Sequence, residues 1–76
     1  MADHTVDMGD QGCGEMVMSL SQAMRHLAPG DRLTVLSHDL GAPADVPAWC
    51  RLTGHDLVSM GQRPASRTFE FVLQKR

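Results

Sequence analysis

Apolar and polar residues along the chain fall into two rhythms, and these divide it into six elements. From Glu15 to Leu27 the apolar positions recur at three and four residues: Val17, Leu20, Met24 and Leu27, with Met16 and Ala23 widening the stripe. That spacing predicts an amphipathic helix, stopped near Ala28 by Pro29-Gly30, with the glycine as a left-handed cap. Arg32-Leu33-Thr34-Val35-Leu36-Ser37 is the strongest strand signal, with a near-continuous apolar run that suits a central strand. His38–Pro43 reads as a loop. Asp45 is then an expected N-cap, with Val46 and Pro47 in the first turn. Val46, Trp49, Cys50 and Thr53 share one face of a two-turn helix ending at Gly54. Weaker β patterns predict a first strand over 3–8, a third over 55–60 and a fourth over 68–73, with a turn at Gly61–Ser66.

The element order is therefore strand, helix, strand, helix, strand, strand. A helical crossover between the first two strands implies parallel pairing, whereas the short last connection implies an antiparallel hairpin. The expected fold is α+β. It is a two-layer α/β sandwich with a mixed four-stranded sheet and both helices on one face. Seventy-six residues allow one domain, 1–76, burying roughly 60% of its unfolded surface. A large substrate cannot be enclosed by so small a core, so chemistry is expected at an exposed loop or at an interface.

Composition narrows the class. No apolar run approaches a membrane span, and Met1-Ala2-Asp3-His4 lacks the basic start and apolar stretch of a signal peptide. The expectation is a cytoplasmic protein with no membrane contact. Two cysteines, Cys13 and Cys50, are too few for a disulfide-stapled scaffold. The net charge of −2 hides a gradient. Residues 1–45 carry seven acids against two arginines, −5, and residues 46–76 carry two acids against five bases, +3. The basic residues are scattered and tyrosine is absent, so direct nucleic-acid binding is not expected. Solvated surface and a docking face for an acidic protein patch are the two readings of that basic half.

The candidate chemistry lies in Gly12-Cys13-Gly14-Glu15, where the first strand has ended and the first helix begins. A thiol there faces unpaired backbone N–H groups and the positive end of the helix dipole, and both favour the nucleophilic thiolate. Gly14 adds flexibility and a further N–H donor, while Asp10 and Glu15 oppose ionisation. The competing reading makes Cys13 a small, partly buried residue that happens to precede a helix. Cys50, after Trp49 on a helix, suits core packing, with a redox role as resolving partner for Cys13 as the other possibility. His4, His26, His38 and His55 lack metal-site spacing and read as surface or loop hydrogen-bonding residues, so no metal is expected. Met8, Met16 and Met18 read as core packing rather than a partner-binding rim.

Several stretches in shared order resemble the TusA family of small sulfur carriers, also called SirA-like. They are Asp3-His4-Thr5-Val6-Asp7, Cys13 with an acidic residue two later, Pro29-Gly30-Asp31-Arg32-Leu33, Asp39, Asp45-Val46-Pro47-Ala48-Trp49-Cys50 and Gly54-His55-Asp56-Leu57. The resemblance covers nearly the whole chain and implies the same strand–helix arrangement. It implies a sulfurtransferase-like carrier in which Cys13 accepts sulfane sulfur as a persulfide. A protein donor of the desulfurase or rhodanese type would load it, and a protein acceptor would unload it, with no bound cofactor. In the family this feeds tRNA thiolation, molybdenum-cofactor assembly or sulfur oxidation. The chain departs from the family pattern Cys-Pro-x-Pro at Cys13-Gly14-Glu15-Met16, and Asp10 stands where the family has a loop glycine. A non-catalytic interaction or regulatory module that retains the fold is the alternative reading.

Overall fold

Alternation of buried and half-exposed positions in Arg32–Ser37 sets the frame. Leu33, Val35 and Ser37 point inward, while Arg32, Thr34 and Leu36 lie on the other, half-exposed face. The computed structural model describes residues 2–76, with the side chain of Cys13 outside the described set. Its elements are β1 (Asp3–Gly9), α1 (Cys13–Arg25), β2 (Arg32–Ser37), α2 (Ala42–Thr53), β3 (Asp56–Gln62) and β4 (Phe69–Gln74). The sheet order is β1-β2-β4-β3, with β1 parallel to β2 and the β2–β4 and β3–β4 pairs antiparallel. The α+β class, the element order and the mixed four-stranded sheet agree with expectation.

Register explains the core. His4, Val6, Leu33, Val35, Phe71, Leu73, Leu57 and Met60 fall in matching rows across the four strands. Against the buried members of these rows pack Met16, Leu20, Met24 and Leu27 from α1 and its C-terminal turn, and Ala42, Val46, Trp49 and Cys50 from α2. Each fully buried aliphatic or aromatic side chain contributes about 1.5–3 kcal/mol. The apolar stripe of α1 is centred on Met16 rather than Val17, which is only half-buried beside the core.

Several boundaries differ from expectation for identifiable reasons. α1 begins at Cys13 and ends at Arg25, two residues earlier at each end, and His26 is its C-cap. Gly30 does have φ +94 but lies beyond that cap, where its N–H donates to the Lys75 carbonyl at 2.8 Å and feeds the chain into β2. At the end of α1 the His26 and Leu27 N–H groups donate to Ala23 O and Met24 O, and the distant Lys75 ammonium also donates to Met24 O at 2.7 Å and, just past the cap, to Leu27 O at 2.6 Å. That is the favourable end of the helix for a cation.

Asp45 is not the N-cap of α2. Gly41 holds that position, Pro43 fits the first turn, and the Asp45 N–H already donates to the Gly41 carbonyl at 3.0 Å. Pro47 therefore lies inside the helix, which has 12 residues rather than two turns. Gly54, at φ +85, closes the helix as expected, while Thr53 is exposed and hydrogen-bonds Trp49 O. β3 continues through Gly61 and Gln62, shortening the expected turn.

Asp31 joins three parts of the chain. Its carboxylate accepts the Ala2 N–H and the Ala28 N–H, each at 3.0 Å, and lies 3.8 Å from His4 Nε2. The Ala28 and Ala2 amides hold its pKa below the ordinary value of 3.8. A carboxylate depressed in the folded state stabilises above its unfolded pKa and loses that contribution as pH falls through its folded pKa. Asp31→Asn should therefore lower the urea midpoint at pH 7, and the gap to wild type should close as pH falls below 3.8. Met16→Ala, which empties a fully buried site in the first turn of α1, should cost about 2–5 kcal/mol in the same denaturation assay.

Candidate functional site

Four residues, Gly9 to Gly12, carry the chain from the end of β1 into α1, and each has a tether. Gly9, at φ +55, donates its N–H to Asp7 Oδ1 at 2.8 Å and accepts from the His38 N–H at 2.8 Å. Gln11 donates its N–H to Met8 O at 3.1 Å, and its side-chain oxygen accepts from Ser19 Oγ at 2.9 Å. Gly12 is the N-cap, extended at φ −76 and ψ 176, with no side-chain cap to offer. Its carbonyl accepts the first helical bond, from the Met16 N–H at 2.9 Å. Met8 and Met16 bracket this loop and are both buried, whereas Met18 is exposed. Two of the three methionines thus pack in the core, and the third does not.

Cys13 is the first residue of α1. The backbone N–H groups of Cys13, Gly14 and Glu15 lie ahead of the first intrahelical bond, in the region where a helix favours an anion. Gly12, Gly14 and Glu15 around it are exposed, and a Cβ built on Gly12 or Gly14 would meet nothing within 4 Å. The expectation of a displayed, amide-facing sulfur concerns the Cys13 side chain, which lies outside the described residues.

Cys50 is a free thiol on α2, only 3% exposed among core side chains. Burial pushes its pKa above the ordinary value, the dominant effect over the nearby Arg51. A buried, protonated thiol is a poor attacking group, so the geometry suits packing rather than a resolving role.

The loop before α2 reaches the same end of the sheet. Ser37 pairs with Gly9 on one side and Phe69 on the other, so the 9–12 loop, the 38–41 loop and the β3–β4 hairpin adjoin. His38 spans all three: its Nδ1 lies 3.4 Å from Asp10 Oδ1, and its Nε2 lies 3.1 Å from Thr68 Oγ1. Asp39 and Asp45 both turn a carboxylate oxygen toward Gly41. On the hairpin, Arg63 is paired with Glu70 at 2.9 Å. Beside it, Pro43, Met60, Gly61, Gln62, Phe69 and Phe71 line an open groove of about 210 Å³. The sequence reading did not find the Asp10–His38–Thr68 contact, because nothing local marks partners 28 and 30 residues apart.

The other histidines are dispersed. His4 faces Asp31, His55 Nδ1 accepts the Arg76 N–H at 3.3 Å beside Trp49, and His26 is the exposed cap of α1. Among the described residues no three His, Cys, Asp or Glu side chains gather as a metal set, and no helix is long and apolar enough to cross a membrane.

Comparison with known proteins meets this geometry from the other direction. The family model described as "Sulfurtransferase TusA" matches residues 4–75. Two proteins named as candidate sulfur carriers, from Neisseria meningitidis serogroups A and B, are each 34% identical over 76 residues, covering all of both chains. The sulfur carrier protein TusA of Pseudomonas entomophila is 34% identical over 74 residues, 97% of this chain and 90% of its own. With a match spanning 4–75 and relatives aligned along the whole length, the chain belongs to the TusA family of sulfur carriers.

Proposed function

We propose that Cys13 carries sulfane sulfur as a persulfide and relays it from a donor protein to an acceptor protein in the cytoplasm, for tRNA thiolation, cofactor assembly or sulfur metabolism. The observation that supports this best is the position of Cys13 as the opening residue of α1, behind an extended glycine cap and flanked by exposed backbone. In the loading step the Cys13 thiolate attacks the outer sulfur of a persulfide on a desulfurase- or rhodanese-type donor. The donor's S–S bond breaks, and the donor cysteine departs as a thiolate. In the unloading step an acceptor thiolate attacks the terminal sulfur, and Cys13 leaves as the thiolate that began the cycle. Sulfur moves at the same oxidation level throughout, so neither step requires a bound cofactor.

The helix amides supply the electrostatics. They lower the cost of negative charge on sulfur both in the attacking thiolate and in the departing one. The absence of both motif prolines favours a second reading, an interaction module that keeps the fold without the chemistry. In that case Cys13→Ser leaves partner binding unchanged and no sulfur is carried.

Incubation with a cysteine desulfurase and labelled cysteine should place one sulfur on Cys13, reversible by thiol, and none on Cys13→Ala. Absence of label with several donor proteins would reject the carrier reading. In the native protein one thiol, Cys13, should react rapidly with an aromatic disulfide reagent at pH 7. Cys50 should react only on unfolding, because it is buried and its pKa is raised. The Cys13 pKa from thiolate absorbance should fall below the free value of ~8.5.

A further inference from the structure

We propose that the cleft between the closing turns of α1 and α2 binds a small oxyanion of the phosphate class, at the opposite end of the molecule from the loop that opens α1. The inference is independent of the sulfur-carrier reading.

The cleft is open and holds about 190 Å³. Buried Met24 and Trp49 form its floor. Helix α1 contributes Ser21 and Arg25, one turn apart, and the end of α2 contributes Thr53 and, just beyond it, His55. Lys75, one residue past β4, completes the lining.

Two helix ends would ordinarily turn carbonyls, the negative pole, toward such a space. Here those carbonyls are already engaged. Ala23 O and Met24 O accept the His26 and Leu27 N–H groups, and Lys75 Nζ donates to Met24 O and Leu27 O. Thr53 Oγ1 donates to Trp49 O at 2.8 Å, and the Gly54 N–H donates to Cys50 O at 2.9 Å. What remains is donor capacity. Lys75 keeps a third ammonium proton, and among the described residues neither the Ser21 hydroxyl nor the Arg25 guanidinium has a hydrogen-bonding or ionic partner. His55 Nδ1 accepts the Arg76 N–H at 3.3 Å, so the neutral ring carries its proton on Nε2.

Charge points the same way. Two helix ends carry about −0.5 each, against +2 from Arg25 and Lys75. Among the described residues no carboxylate lines the cleft. The acids of α1, α2 and β4 are Glu15, Asp45 and Glu70, all at the start of their elements and so at the far end. Of the nearer acids, Asp31 is held by the Ala2 and Ala28 amides and Asp56 by Arg76 at 3.2 Å. Asp3 shares a row with Arg32 on the sheet face away from the helices. A guanidinium, an ammonium, an imidazole N–H and a hydroxyl around one cavity match the several oxygens of a tetrahedral anion, which a guanidinium meets with paired N–H groups. The volume suits such a head group with a short substituent. Trp49 is too deeply buried to offer a ring face to a nucleobase.

The test follows the amide and indole N–H signals of the reduced full chain by NMR at pH 7 and constant ionic strength. Inorganic phosphate is titrated in one arm and glycerol phosphate in the other, with chloride as the replaced ion. Saturable shifts should appear at Ser21, Arg25, Thr53 and His55, with half-saturation on the order of 1–10 mM. Tighter binding of the ester assigns the site to a phosphate head group, and tighter binding of phosphate assigns it to the free ion. Arg25→Gln, at an exposed position, should weaken binding by about five-fold or more. Arg51→Gln removes the same charge from an exposed position on α2 outside the cleft and should change it by less than about two-fold. Ser21→Ala, which favours the helix and removes one hydroxyl, should weaken it by about two-fold. Shifts that stay linear, that chloride reproduces, or that fall equally in Arg25→Gln and Arg51→Gln would overturn the proposal.

Discussion

Parallel pairing of β1 with β2 is the constraint from which the site follows. A chain that leaves β1 and must return beside it in the same direction needs a crossover, and α1 supplies it. The second helix repeats the manoeuvre. Because β2 and β3 are each antiparallel to β4, they run the same way, and α2 connects them. Both helices therefore start at the end of the sheet where β1 and β2 finish, and the β3–β4 hairpin turns there too. Cys13, Asp10, His38, Gly41 and Thr68 share one end of the molecule because the topology leaves no other place for those connections.

Burial on one sheet face keeps that arrangement in register. Leu33, Val35, Phe71 and Leu73 form the floor, and a one-residue slip of any strand would turn its inward set outward. Met8 and Met16 extend this floor to the two ends of the cysteine loop, so the loop is short, exposed and anchored on both sides. A domain of 76 residues has little core with which to enclose a reacting group. On the proposed carrier reading, a loop at one end of the sheet suits a group that passes between two proteins, since either partner can reach it.

Periodicity made most of this architecture legible. Arg32–Ser37 was delimited to the residue, because three aliphatics lie between strong turn signals. The start of α2 was misplaced because Asp45 offers the better N-cap side chain, and Pro47 is better tolerated in a first turn than in an interior. Packing of Ala42 decided otherwise: it is fully buried, and helix beginning there puts Ala42 and Val46 on the face that meets the core. Gly30 was mistaken for a helix cap because its positive φ serves a turn after the helix instead. The cysteine at the head of α1 was visible from composition and spacing. The contacts among Asp10, His38 and Thr68 at the same end of the sheet were not, since His38 and Thr68 approach the 9–12 loop only through strand pairing.

The family resemblance implies prolines where this chain has Gly14 and Met16, and that difference alters how the loop can be held. Proline at the first helical positions stiffens a turn through covalent geometry, independently of what lies around it. Here Met16 replaces covalent stiffness with burial, and Gly14 leaves a backbone N–H exposed in the first turn. The remaining order comes from hydrogen bonds of the Gly9–Gly12 segment to β1, α1 and the 38–41 loop. Order of that kind depends on the surrounding fold and can be loosened when a partner competes for the same donors. On the carrier reading this leaves the segment ahead of α1 adjustable on docking, because a partner can exchange those hydrogen bonds without moving the helix that follows.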